Sequence, residues 1–141
     1  ENLESDFTAV LQETSYGSEM LRYIEKSKQT SANVHAKTYF TTAAALLTQA
    51  AIEEEIISGG EVSGSGTSFD FGSTVMDAED YLGDYAAGYF YGEYDPYYYS
   101  VEYIIWSEEP IPDSMKHKPD SGELDEFAQQ GTYIGCYPRP Y

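Results

Sequence analysis

Residues 20–57 read MLRYIEKSKQTSANVHAKTYFTTAAALLTQAAIEEEII, a run with neither glycine nor proline, followed at once by Ser58-Gly59-Gly60. Glycine supplies the left-handed residue that closes helices, so the stretch predicts one helix with its stop at residues 58–60. At 1.5 Å per residue such a helix spans about 57 Å, against roughly 11–12 residues for an ordinary globular helix. Met20, Ile24, Ser27, Ser31, Val34, Thr38, Ala45, Ile52 and Ile56 fall near one face. The second half, from Ala43 to Ile52, is apolar nearly all round and is expected to be the buried half.

On the N-terminal side, Leu3, Phe7, Val10 and Leu11 are spaced for a short amphipathic helix over residues 3–13. Ser15-Tyr16-Gly17-Ser18 reads as a break, with Ser18 an N-cap for the long helix. On the C-terminal side, residues 59–68 have the Gly/Ser composition of a flexible loop. No Gly-Lys-Ser/Thr comes after it, so it is not a phosphate loop. Residues 74–85 fit a short helix capped near Thr74.

Tyrosine dominates the next segment. Nine of the fifteen tyrosines lie between Tyr81 and Tyr103, a density that favours strands. Glu93-Tyr94-Asp95-Pro96 reads as the turn of a hairpin between residues 88–92 and 97–106. Strict alternation puts Tyr97, Tyr99, Val101, Tyr103 and Ile105 on one face of the second strand. Tyr98, Ser100, Glu102, Ile104 and Trp106 take the other, and the first face is expected to cover the helix. A loop carrying Pro110 and Pro112 precedes a polar helix near 123–129 and a last strand within 131–138. The fold class is therefore α+β: one domain, 1–141, with a leader (1–19), a long helix (20–57), and a loop and tyrosine-rich antiparallel sheet of three to five strands (58–141).

The net charge is −18 and is unevenly distributed. Residues 20–57 balance Arg22, Lys26, Lys28 and Lys37 against Glu25, Glu53, Glu54 and Glu55, while residues 58–141 hold sixteen acids against Lys116, Lys118 and Arg139. An acidic surface repels phosphate, which argues against nucleic-acid binding. It suits solubility, or mimicry of nucleic acid by an inhibitor. Within the helix the cations lie early and Glu53–Glu55 late, against the macrodipole. One cysteine, Cys136, excludes an intramolecular disulfide, and no apolar run of about 18 residues is present to cross a membrane.

Motifs for catalysis are missing from the residues. His35 and His117 are the only histidines, neither with a histidine or cysteine at zinc-ligand spacing. Cys136 has no base near it, and no Gly-x-Ser-x-Gly elbow occurs. Two acidic groups, Asp77/Glu79/Asp80/Asp84 and Asp120/Glu123/Asp125/Glu126, offer oxygens for calcium without the EF-hand spacing. No enzyme activity, cofactor or metal is expected. A partner-contact surface is expected at Tyr89, Tyr91, Tyr98 and Trp106, since tyrosine joins a rigid apolar body to a polar tip. The rival use of these tyrosines is as half-buried core.

The run Tyr23-Ile24-Glu25-Lys26-Ser27-Lys28-Gln29-Thr30-Ser31-Ala32-Asn33, then Ala36-Lys37-Thr38, resembles type IV pilin or pseudopilin-like proteins of Gram-positive bacteria. Gly131-Thr132-Tyr133-Ile134-Gly135-Cys136-Tyr137-Pro138 resembles their last strand more loosely. The resemblance covers about 38 residues well and about 12 more loosely. It implies a long helix on an antiparallel sheet and an extracellular or cell-surface subunit for filament assembly or adhesion. The implied partners are like or related pilin subunits, with carbohydrate or a host-surface protein as further possibilities. Membrane contact is implied only through an apolar half-helix, which residues 1–19 are too short and polar to supply. Arg22, Lys26, Lys28 and Lys37 are expected as subunit contacts facing the acidic C-terminal half of a neighbour. An acidic inhibitor or DNA mimic, and a carbohydrate-binding module using surface Tyr and Trp, remain the alternatives.

Overall fold

The computed structural model describes residues 15–139, with side chains from Arg22 onward; the short helix expected over 3–13 lies outside them. Helix α1 (Ser15–Ile52) is 38 residues long, the expected length, but it sits five residues earlier in the chain. No break occurs at residues 15–18. Gly17 is accommodated inside the helix, at the roughly 1 kcal/mol that glycine costs relative to alanine.

The end also differs from the expected Ser58-Gly59-Gly60 stop. Glu54 takes the left-handed conformation (φ 57°), its N–H bonds Ala51 O at 3.2 Å, and Glu55 N–H reaches back to Ala50 O at 2.9 Å. This is a Schellman closure with glutamate where glycine is usual. What holds it is tertiary: the Tyr99 hydroxyl donates to Glu55 O at 2.7 Å and accepts from Ile57 N–H at 3.0 Å, drawing Ile57 into the core.

Beyond the helix lie six strands, more than the three to five expected: β1 (Glu61–Ser65), β2 (Ser68–Asp70), β3 (Val75–Asp77), β4 (Tyr89–Asp95), β5 (Ser100–Ser107) and β6 (Gly135–Tyr137). They form one sheet in the order β3-β2-β1-β4-β5-β6, every neighbouring pair antiparallel. The extra strands come from the segment expected to be a flexible loop. Val62 and Phe69 anchor β1 and β2 in the core on either side of a tight turn at Gly66-Thr67, where Gly66 has φ 58°. The helix expected over 74–85 shrinks to α2 (Glu79–Leu82) and a 3-10 turn (Gly83–Tyr85), because Val75–Asp77 pairs with β2 instead. The turn joining β4 and β5 falls at residues 96–99, three residues beyond the expected start.

Helix α1 packs across one sheet face. Its buried line is Ala32, Ala36, Tyr39, Ala43, Leu46, Leu47 and Ala50, steps of three and four that meet Val62, Phe69, Phe90, Ile104 and Trp106. The second half is the more buried, as expected, but the one-face set read from the sequence lies on the opposite side: Val34, Ile52 and Ile56 are exposed. Small residues explain the reversal, since alanines let the helix backbone approach the sheet more closely than the larger apolar residues would. Tyr39 is enclosed among Phe69 and Phe90 with its hydroxyl 2.7 Å from Gly66 O, and burial raises its pKa.

Tyr99 and Val101 pack on the helix side, as expected, but the faces of β5 reverse beyond them. Glu93 pairs with Tyr103 and Tyr94 with Val101, so Glu102 is an extra residue in a β-bulge. A bulge shifts the alternation by one. Beyond it Ile104 and Trp106 face α1, while Tyr103 and Ile105 join Tyr91, Met115, Ile134 and Cys136 on the far side. There α3 (Ser121–Gln129) adds Leu124 and Phe127; it realises the helix expected near 123–129. Asp120 and Glu123 form a capping box, Asp120 Oδ1 accepting from Glu123 N–H at 2.8 Å.

Candidate functional site

Two surfaces at opposite ends of α1 stand out. The first is a stem. From Arg22 to Ser27 no side chain is buried, Ile24 alone being half-covered, and Ala32 is the first buried residue. The body begins where Gln29 Nε2 donates to Ile134 O at 2.9 Å and Asn33 Oδ1 accepts from Cys136 N–H at 3.2 Å. Residues 22–27 thus make about 9 Å of helix with no buried side chain.

The four cations expected as subunit contacts divide. Arg22 and Lys26 are exposed on the stem, whereas Lys28 lies 5.8 Å from the Tyr133 ring centroid and Lys37 5.7 Å from that of Tyr137. The latter two hold the C-terminal strand region against α1 by cation–π attraction.

The outward side of α1 carries the one-face set read from the sequence, Ser27, Ser31, Val34, Thr38, Ala45 and Ile52, uncharged throughout and none of it buried. Threonines on this side are satisfied within the helix: Thr38 Oγ1 donates to Val34 O at 3.0 Å, Thr41 to Lys37 O at 3.0 Å and Thr48 to Ala44 O at 2.9 Å. Their hydroxyls are turned onto the helix backbone.

The second surface is the apex, where the β4–β5 turn meets the end of α1. Asp95 Oδ1 accepts from the N–H groups of Tyr97 at 2.8 Å and Tyr98 at 3.2 Å, and Tyr99 N–H bonds Asp95 O at 2.8 Å. Tyr99 itself is left-handed (φ 56°), held there by its hydroxyl bonds to Glu55 and Ile57. The turn so fixed displays Tyr97 and Tyr98, 83% and 75% exposed, edge to face with centroids 4.8 Å apart. Exposed Ile52 and Ile56 and the carboxylates of Glu53, Glu54 and Glu55 occupy the same end.

The expected aromatic surface is not assembled as one patch. Tyr98 is at the apex and Tyr89 is partly exposed at the start of β4, but Tyr91 and Trp106 are each only 4% exposed and face opposite sides of the sheet. Trp106 stacks on His35 (centroids 4.2 Å), which stacks in turn on Tyr85 (4.9 Å). His35 Nδ1 is 2.8 Å from Ser31 O, and Trp106 Nε1 donates to Ala87 O at 2.8 Å. These groups bind the body together. Tyr97, the most exposed tyrosine of the apex, is absent from the contact surface expected from the sequence; its place in a turn after Asp95-Pro96 is the signal that could have found it.

On the far sheet face, Tyr103 donates to Glu93 Oε2 at 2.7 Å. Burial, then the hydrogen bond and charge of Glu93, push the Tyr103 hydroxyl well up; burial and the nearby Glu61 push Tyr91 up to about 12. Glu61 and Glu93 are directly paired across β1 and β4, a like-charge juxtaposition that the phenols relieve. Burial also raises the Cys136 thiol to about 11, keeping it protonated and unreactive.

The two acidic groups offered as calcium candidates do not converge: among the described residues no three His, Cys, Asp or Glu side chains are placed to hold a metal ion. Glu123 is taken by the capping box and by His117, whose Nε2 is 2.8 Å from Glu123 Oε2. A cleft of about 220 Å³ at the base of the stem is lined by Lys28, Ser31, Trp106, Glu108, Glu109 and Tyr133. Among the described residues no helix is long and apolar enough to cross a membrane. Comparison with protein-family models, curated proteins and solved structures returns no match to this chain.

Proposed function

We propose that the chain is a non-enzymatic, extracellular structural subunit of pilin type, which assembles with like or related copies in a filament or adhesive surface structure. The observation that carries this reading is the stem: α1 runs from Arg22 to Ser27 with no buried side chain before it meets the sheet at Gln29. Most helical stability in proteins comes from packing, so a helical segment with no buried side chain gains order when it lies against another chain. The uncharged outward stripe from Ser27 to Ile52 gives a neighbouring helix a face to pack on without burying charge. The acidic remainder of the surface keeps unassembled copies apart.

Antibody raised against the folded chain is the direct test, applied to cells that produce the protein from its own gene. Immunogold label along surface filaments, lost on gene deletion, is the expected result. Label confined to the cell interior would overturn the proposal and favour the acidic inhibitor.

A further inference from the structure

The two ends of α1 are complementary in charge and chemistry. Arg22 and Lys26 stand exposed on the stem beside Tyr23, which is 67% exposed, and outnumber the single acid Glu25 between them. At the other end Glu53, Glu54 and Glu55 ring the helix terminus, next to Tyr97 and Tyr98. Between them, residues 38–52 carry no charge at all. Lys26 and Glu53 are 27 positions apart, about 40 Å along a rigid helix, so they cannot meet within one molecule.

We infer that the apex of one copy docks on the stem of a second copy, with the Tyr97–Tyr98 pair lying along the helix beside Tyr23 and Ile24 and the Glu53–Glu55 carboxylates facing Arg22 and Lys26. This inference rests on the subunit reading above and names the surface it uses. Three features select a second copy as the occupant. Charge is complementary between the two ends and repulsive between two apices or two stems. The apex is held rigid by Asp95 and Tyr99, so little freedom is lost on contact. Tyrosine faces also accept Arg and Lys side chains, and the stem presents both. Because the contact joins different patches on like subunits, its repetition gives an open chain and not a closed dimer.

The test uses the full chain in solution at low ionic strength, with carbodiimide as a zero-length coupler of amines to carboxylates. Copies grown in two nitrogen isotopes are mixed, so that mixed-isotope crosslinked peptides report contacts between molecules. Crosslinks from Lys26 to Glu53, Glu54 or Glu55 are expected, with a yield about tenfold lower in 0.5 M salt. Two variants then dissect the contact: Arg22→Glu/Lys26→Glu, which reverses the charge of the stem's cations, and Tyr97→Ser/Tyr98→Ser, which blunts the apex. Each alone should form no oligomer by sedimentation, whereas their mixture should give a 1:1 complex that does not grow.

Self-association of the stem variant alone would mean apex-to-apex pairing and would overturn the inference. So would crosslinks confined to the outward stripe, or retention of the apex on a glycan array with no Lys26–Glu53 crosslink. Filaments seen on cells without these crosslinks would sink this inference and leave the subunit reading standing; the crosslinks without filaments would do the reverse.

Discussion

Gly135 in β6 lies against the backbone of Ala32 in α1 so closely that a Cβ on Gly135 would overlap the Ala32 carbonyl oxygen. Three bonds and contacts gather at this crossing: Gln29 to Ile134 O, Asn33 to Cys136 N–H, and Lys28 over Tyr133. It is where the stem ends and the body begins. Gly135→Ala forces helix and strand apart, and a loss of about 2–3 kcal/mol is expected in urea unfolding. Gly131→Ala, at a left-handed position with open space around it, is the control: it should lose only about 1 kcal/mol, through backbone strain alone.

Amide hydrogen exchange should divide α1 at the same crossing. Residues 22–27 have no buried side chain and are expected to exchange orders of magnitude faster than residues 36–50, which share the core with the sheet. Uniform protection along the whole helix in dilute monomer would contradict the stem as described.

The tyrosines divide into those that stabilise the body and those that do not, and the buried tryptophan sets the scale. Trp106→Ala removes a buried ring stacked on His35 and is expected to cost about 3–5 kcal/mol. Tyr97→Ala and Tyr98→Ala touch only exposed rings and should stay within about 0.5 kcal/mol of the parent. Parallel thermal melts separate the two classes.

Stability should fall on the alkaline side. Tyr91 ionises near 12 in the folded chain and near its ordinary value of 10.0 when unfolded, so the folded state holds its proton longer. Its contribution is complete below pH 10 and is lost as the pH rises through about 12; Tyr103, shifted in the same direction, adds to the fall. Urea unfolding at pH 9 and pH 11 measures the effect. The double variant Tyr91→Phe/Tyr103→Phe should show a flatter dependence.

Cys136 is buried against the far sheet face with its thiol raised to about 11. Alkylation by iodoacetamide at pH 8 should therefore be negligible in the folded chain and complete in 8 M urea. Fast labelling of folded protein would show that β6 opens from β5.

The α+β class, the existence of one long helix and the existence of α3 are legible in the sequence because each depends on local residues. The run of 38 residues from 20 to 57 has no residue that breaks a helix, and Asp120 with Glu123 satisfies the first turn of α3 by itself. The apex is half legible: Tyr98 stands out as a contact residue, while the turn that presents it starts three residues later than the Glu93–Pro96 signal implies. Charge segregation is plain, since it needs only a count. Lys28 and Lys37 look equivalent to Arg22 and Lys26 until the C-terminal tyrosines are placed beneath them.

Phase belongs to the three-dimensional fold alone. A helix whose apolar residues nearly encircle its second half can bury either side, and the alanine line 32–36–43–50 wins because it lets Gly135 and the sheet approach the backbone. In β5 the extra residue at Glu102 inverts every face assignment beyond it, sending Trp106 to the helix and Tyr103 away. The helix stop moves from Gly59 to Glu54 for the same reason: the Tyr99 hydroxyl, 44 residues from Glu55, captures the chain there. Local sequence determines that a long helix, the β4–β5 hairpin and α3 form, whereas β1, β2 and β3 arise from pairing along the sheet. Contacts between residues remote in the chain select the face each element buries, because that selection rests on shape and backbone approach, which periodicity does not encode.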